Sequence, residues 1–272
     1  MTFAQRHAYG FGCGIAALVW PFFRKRRRVA IENVLKCRIT DDVREAERIA
    51  KTSFCHFAGH IVEALFVPGV ITRENWRDHL DTSGADPEAV KVLLEAVDQP
   101  ILLVSAHHGA WEPATNLLSI TRPMIAVART MNNKFVAKWM KNHHFRGPVT
   151  IIDKNNGFRS EYLNQWKTTN AAMTLLVDQY AWNGPMLEFL GRPARTVTSA
   201  ARLAIRTGVP VVVGSFVRLS AYRYRLVGGK PLTFSKTDDR NAVAQILNDR
   251  LGEAIRQYPE QYLWAHRRWR DD

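Results

Sequence analysis

The sequence predicts an α/β fold in which helices flank a largely parallel central sheet. Three observations carry that reading. Short continuous apolar runs, of which Ile101-Leu102-Leu103-Val104-Ser105 is the clearest, have the length and composition of strands buried on both faces. Between them lie segments whose apolar residues recur at three- and four-residue steps, the period of a helix with one buried face. The two kinds alternate through most of the chain, as βα units do.

In chain order, helices are expected over Val29 to Lys36 and Asp41 to Phe66. In the second, Val43, Ala46, Ile49, Ala50, Phe54, Phe57, Ile61 and Leu65 form the apolar stripe, with Thr40 or Asp41 as the cap. Pro87 to Val97 reads as a helix, followed by the Ile101 to Ser105 strand. Trp111 to Ile120 reads as a helix with Pro113 in its first turn, where a missing N–H costs nothing. The pattern then gives a strand at Ile125 to Ala128, a helix at Asn133 to His143, a strand at Val149 to Ile152 and a helix at Ser160 to Thr168. Ala172 to Val177 is a strand, Ser199 to Arg206 a helix and Val209 to Phe216 a strand. Tyr222 to Val227 alternates like a half-exposed strand, and an amphipathic helix over Arg240 to Gln257 closes the series. No repeat or Gly/Ser linker divides residues 29–272, which read as a single catalytic domain.

The charge is the unusual part of the composition. Lys plus Arg number 38 against 25 Asp plus Glu, a net of +13, so the partner is polyanionic: anionic lipid, a phosphorylated substrate, an acidic carrier protein or nucleic acid. No zinc-finger, RNP or helix-turn-helix pattern accompanies the charge, which argues against nucleic acid. Cys13, Cys37 and Cys55 lack CxxC spacing, and the adjacent His107-His108 and His143-His144 pairs lack the spacing that puts two imidazoles on one helix face, so no metal is expected.

Residues 1–28 read as a hydrophobic membrane anchor with a basic cluster. Ala8 to Phe23 carry no charge, and Arg24-Lys25-Arg26-Arg27-Arg28 follow at once, an order that suits an uncleaved segment beside an anionic surface. A helix of that length reaches about 24 Å, short of the ~30 Å hydrocarbon core, so both a span and an interfacial placement stay open.

The sharpest local feature is Ser105-Ala106-His107-His108-Gly109-Ala110-Trp111-Glu112. It leaves the end of a buried strand, where open α/β sheets gather their functional groups, and Gly109 permits the turn into the next helix. His107 and Glu112 would lie about 140° apart on one continuous helix, but can converge across a strand–turn–helix junction. A carboxylate holding one imidazole nitrogen leaves the other free as a general base. The residues alone also admit a plain helix start with two incidental histidines.

The block resembles the signature of the lysophospholipid acyltransferase superfamily, in its late (lauroyl/myristoyl-type) lipid A acyltransferase branch. Val127-Ala128-Arg129 with Met131-Asn132-Asn133, Asp178-Gln179, the Met186 to Thr196 stretch, Arg206-Thr207-Gly208-Val209-Pro210 and the Tyr258 to Trp269 end are similar to that branch in the same order. His108 and Ala110 depart from the branch's usual aromatic and Asn, which admits a non-catalytic scaffold of the same fold. The resemblance implies a glycerolipid-acyltransferase-like fold and transfer of a fatty acyl chain from an acyl carrier protein or acyl-CoA thioester to a glycolipid hydroxyl. A lipid A precursor is the expected acceptor, with phosphatidylinositol mannosides as the alternative. No cofactor beyond the thioester co-substrate is implied, and the location implied is the cytoplasmic face of the bacterial inner membrane. It makes His107 the base and Glu112 its orienting carboxylate. Arg129 and Arg159 become oxyanion or phosphate ligands, Asn132 a substrate ligand, and Asp178 a site-lining carboxylate or a helix cap. The terminal Trp264 to Arg270 mixture of indoles and cations is expected at head-group depth.

Overall fold

The structure is a computed structural model that describes residues 1–95, 98–128, 149–153 and 160–270. Helices α1 (Phe3–Val19), α2 (Arg24–Lys36) and α3 (Val43–Ala64) precede strand β1 (Leu80–Ala85) and the single-turn α4 (Pro87–Val90). Then come β2 (Ile101–Ser105), α5 (Trp111–Thr121), β3 (Met124–Ala128), β4 (Val149–Asp153), α6 (Ser160–Thr168) and β5 (Ala172–Leu176). A hairpin, β6 (Met186–Phe189) and β7 (Arg192–Arg195), leads to α7 (Ser199–Thr207), β8 (Val211–Ser220), β9 (Arg223–Gly228) and α8 (Arg240–Gln257). The expected helix over Asn133 to His143 lies outside the described residues.

Seven strands form one sheet in the order β1-β9-β8-β2-β5-β3-β4. From β8 to β4 every pairing is parallel, while β9 runs antiparallel to β8 and takes β1 in parallel on its other edge. The central strand shows why the sheet is two-sided. All five residues of β2 are buried, and they alternate between faces: Leu102 and Val104 join a core with Val34, Trp166 and Leu247, Ile101 and Leu103 one with Leu93, Leu117 and Tyr224. Each such side chain contributes roughly 1.5–3 kcal/mol by leaving water.

Several expectations need correction. The cap of α3 is Asp42, whose Oδ1 accepts from the amides of Arg44 and Glu45, because Thr40 is occupied with the Asp42 amide. The helix expected to Val97 is helical in the ordinary sense only over Pro87–Val90, and a wider π turn follows at Lys91–Glu95. Val43 and Leu65, read as buried on α3, are exposed, and His56, His60 and Glu63 take the interior instead. Strand β1 and the β6/β7 hairpin were not expected; Leu190-Gly191, both at positive φ, make the hairpin's two-residue turn.

The N-terminal segment departs furthest. Among the described residues no helix is long and apolar enough to cross a membrane. The apolar run is divided, with α1 ending at Val19 and a 3₁₀ turn at Trp20–Phe22 carrying Pro21. Helix α1 lies against α3 through Ala8, Gly12 and Ala16; a Cβ on Gly12 would sit 2.6 Å from the Ala58 carbonyl oxygen, so only glycine admits this approach. Most of the larger apolar residues face outward, with Phe3 81%, Phe11 65%, Leu18 75% and Phe22 82% exposed, while Trp20 packs inward against Phe54.

A buried ion pair ties α3 to the antiparallel side of the sheet. The Arg218 guanidinium donates to both Glu63 carboxylate oxygens at 2.8–3.1 Å, Tyr224 donates its hydroxyl to Glu63 at 2.8 Å, and the guanidinium lies 3.6 Å over the Tyr9 ring of α1. Removing one member leaves a buried charge without its counterion. Glu63→Ala is therefore expected to lower unfolding free energy by about 3–5 kcal/mol in urea titration, and Glu63→Leu with Arg218→Met by much less. A Glu63→Ala protein as stable as wild type would contradict this account.

Candidate active site

Strands β2 and β5 are adjacent, parallel and in register, with Ser105 opposite Leu176. The ladder continues one step further, since the Val177 amide donates to the Ser105 carbonyl at 3.1 Å. The next residues out of the sheet, His107 and Asp178, therefore leave side by side. His107 Nδ1 lies 2.8 Å from Asp178 Oδ1, with the imidazole 19% and the carboxylate 2% exposed. Burial pushes the Asp178 carboxyl up, but the adjacent imidazole, hydrogen bonds from the His107 side chain and backbone, and the nearby Arg268 outweigh it and hold the group below its ordinary value. An ionised Asp178 requires the Nδ1–H tautomer and turns the Nε2 lone pair outward, where the Gln179 side-chain amide approaches to 3.3 Å.

The loop that carries His107 is stitched down on both sides. The Gly109 amide donates to the Gln261 carbonyl, the Leu263 amide to the His107 carbonyl, and the Ala110 amide to Phe216. Gly109 has φ +70°, and a Cβ there would come within 2.2 Å of the Phe216 carbonyl oxygen, so both conformation and space require glycine. Gln261 pairs reciprocally with the Arg218 backbone at 2.8 and 3.0 Å. The Trp111 indole packs edge-on to His107 at 5.2 Å and to His60 at 4.1 Å. His56 donates Nε2–H to the Gly109 carbonyl and accepts the Tyr9 hydroxyl at Nδ1. Burial brings His56 and His108 to about 4 and His60 well below its ordinary value, so these three imidazoles are neutral at neutral pH. His266 is also pushed to about 4, again chiefly by burial.

Of the residues singled out in the sequence, His107 and Asp178 are thus brought into contact. The carboxylate on His107 Nδ1 is that of Asp178, from the neighbouring strand, while Glu112 sits partly buried in the first turn of α5. Arg129, Asn132, Arg159 and the His143-His144 pair lie outside the described residues. The C-terminal indoles are not at the surface: Trp264 and Arg268 are fully buried and Trp269 nearly so. Arg268 donates to the carbonyls of Gln179 and Arg195 and to the Thr196 hydroxyl, which explains why a guanidinium occupies the interior. Gln179 and Trp111 border the imidazole and His60 packs behind Trp111, none of them marked as a site residue; Trp111 and Gln179 stand inside the segments that resemble the family, which was the signal for them, whereas nothing local pointed to His60.

The family model of the bacterial lipid A biosynthesis acyltransferases matches residues 2–271. A lipid A biosynthesis palmitoleoyltransferase of Escherichia coli (strain K12) is 24% identical over 266 residues, covering 95% of this chain and 83% of the relative. A lipid A biosynthesis acyltransferase of Shigella flexneri aligns with the same figures. A lipid A biosynthesis lauroyltransferase of E. coli K12 is 22% identical over 288 residues, covering 96% and 85%.

The neutral buried histidines make stability depend on pH. Their folded values lie below the ordinary one near 6.5, so the unfolded chain takes up protons first as pH falls. The contribution is complete above about pH 6.5 and is lost on descending toward pH 4, at most about 3 kcal/mol for each of His56 and His108. Urea midpoints are expected to be level from pH 7 to 8 and to fall steadily from pH 6.5 to 4.5; a flat profile across the lower window would count against neutral burial.

Proposed function

Because this chain belongs to the bacterial lipid A biosynthesis acyltransferases, and is thus an O-acyltransferase, we propose that it moves a fatty acyl chain from a thioester to a hydroxyl of a lipid A precursor, with His107 as general base. The supporting observation is the His107–Asp178 contact, which leaves a basic Nε2 at the rim of the sheet. In this reading the acceptor hydroxyl takes the place of the Gln179 amide at Nε2 and gives up its proton there. Its oxygen attacks the thioester carbonyl carbon, forming a C–O bond and a tetrahedral oxyanion. Collapse breaks the C–S bond, and the leaving thiolate takes the proton back from the imidazolium. Asp178 holds the tautomer and stabilises the imidazolium, the role first expected of Glu112. Glu112 remains as a second carboxylate of the site, at the opening turn of α5. General-base help of this kind contributes about 10²–10⁴-fold, so positioning and oxyanion stabilisation must supply most of the rest. Arg129 and Arg159 are the proposed oxyanion or phosphate ligands, and Asn132 a substrate ligand. The donor is acyl carrier protein or acyl-CoA.

Attachment to the membrane is proposed to be interfacial. The outward Phe3, Phe11, Leu18 and Phe22 form an apolar ridge unsuited to water, and the Arg24 to Arg28 run follows it directly. Apolar insertion together with attraction to anionic head groups is the physics of helices that lie in a bilayer's surface.

Two outcomes test the proposal. Incubated with labelled acyl carrier protein or acyl-CoA and a lipid A precursor, His107→Ala should retain the wild-type melt and lose at least about a hundredfold in transfer rate. Asp178→Asn should lose nearly as much, and Glu112→Ala less; near-normal transfer by a folded His107→Ala protein refutes the mechanism. Phe11→Asp with Leu18→Asp should move the protein from the pellet to the supernatant when it is sedimented with vesicles containing anionic lipid. Unchanged sedimentation would refute interfacial attachment through α1.

A further inference from the structure

A cavity of about 420 Å³ opens where the start of α2 meets the C-terminal segment, lined by Lys25, Arg26, His266, Arg267 and Arg270. Four of these five carry a fixed positive charge, and none of the four has a carboxylate within ion-pair distance among the described residues. The basic run itself supplies the contrast. Arg27 pairs with Glu47 and Arg28 with Glu32, whereas Lys25 and Arg26 border the cavity. Arg26 is held by the Ala265 carbonyl at 3.0 Å, and Arg270 by the Arg267 carbonyl at 3.3 Å and by the Tyr180 ring, 4.9 Å below its guanidinium. Helix α2 begins here with no side-chain cap and no acidic residue in its first turn, so its dipole adds to the positive field. Such a concentration of like charge opposes folding unless an anion offsets it.

The cavity also lies within electrostatic reach of the His107–Asp178 pair. His266 in its wall feels the charges of both Asp178 and His107, and Arg270 stacks on Tyr180, two residues after Asp178. Three planar guanidinium forks and an ammonium around one concavity match a tetrahedral group with several anionic oxygens better than a single carboxylate. The volume exceeds that of a phosphate alone and leaves room for the sugar or ester bearing it.

We propose that the cavity bounded by Lys25, Arg26, Arg267 and Arg270 is a phosphate subsite, which holds the phosphate of one co-substrate while its reacting group lies at His107. The identity of the co-substrates rests on the acyl-transfer reading; the affinity for phosphate does not. The phosphate belongs either to the acceptor glycolipid or to the phosphodiester of the donor's thioester arm.

The test uses the full chain in detergent and the Arg267→Gln/Arg270→Gln variant, with Lys25→Gln as an independent substitution on the opposite wall. All three residues are exposed, so the melts should match wild type. Titration with inorganic phosphate, followed by intrinsic tryptophan fluorescence, should saturate in wild type and fail to do so in the double variant. In transfer assays the double variant should raise one KM about ten- to a hundredfold, as loss of charge-assisted hydrogen bonds does, with little change in kcat. A rise in acceptor KM that vanishes with phosphatase-treated acceptor assigns the site to the acceptor, and a rise in donor KM assigns it to the donor. Identical phosphate titrations and unchanged KM values for both co-substrates overturn the proposal. Saturable phosphate binding, lost in the variant, by a protein that transfers no acyl group would keep the subsite and reject the acyl-transfer reading.

Discussion

The organisation of the site depends on the parallel, in-register pairing of β2 with β5. Because side chains alternate strictly along a strand, a slip of one residue would send His107 and Asp178 to opposite faces, and the 2.8 Å contact between them could not form. The register is fixed by burial on both faces of β2, whose five residues are all inside. Positioning of the imidazole is therefore a consequence of core packing, and the tautomer that leaves Nε2 basic follows from the carboxylate so positioned.

A second constraint comes from the C-terminal segment. It returns across the loop after β2, exchanging backbone hydrogen bonds with His107 and Gly109, and Ser53 of α3 donates to the Tyr262 carbonyl. Asn33 of α2 donates to the carbonyls of Trp264 and His266 at 2.9 and 3.1 Å. Buried Arg268 then joins this segment to Gln179 and to the end of the β6/β7 hairpin. Helices near the N-terminus, the loop that carries His107 and the last residues thus share one hydrogen-bonded assembly. The aromatic-basic end is an internal brace, with only Arg267 and Arg270 of its cations turned to solvent.

Much of the fold is legible in the sequence because local patterns report it. The apolar run at Ile101 to Ser105 and the amphipathic period at Arg240 to Gln257 need no tertiary information, and both elements appear with those bounds. Strand β1, Leu-Asp-Thr-Ser-Gly-Ala, has no such pattern, because an edge position leaves most of it partly exposed. The stripe on α3 misled for the opposite reason. His56 and Glu63 are polar, yet they are buried because partners from α1, β8 and the loop after β2 satisfy them, and His60 is buried beside them with its Nδ1 on the His56 carbonyl and its ring edge-on to Trp111.

The chain by itself determined the alternation of strands and helices, the family and the histidine at the end of the central strand. These follow from residue type and spacing along a single stretch. Only the tertiary structure decided that Asp178, 71 positions away, holds the imidazole, that α1 turns its large apolar side chains outward, and that Trp264 and Arg268 are interior. The physical reason is common to all three. A side chain's neighbours across a sheet or between helices are set by register and crossing geometry, which no local period encodes.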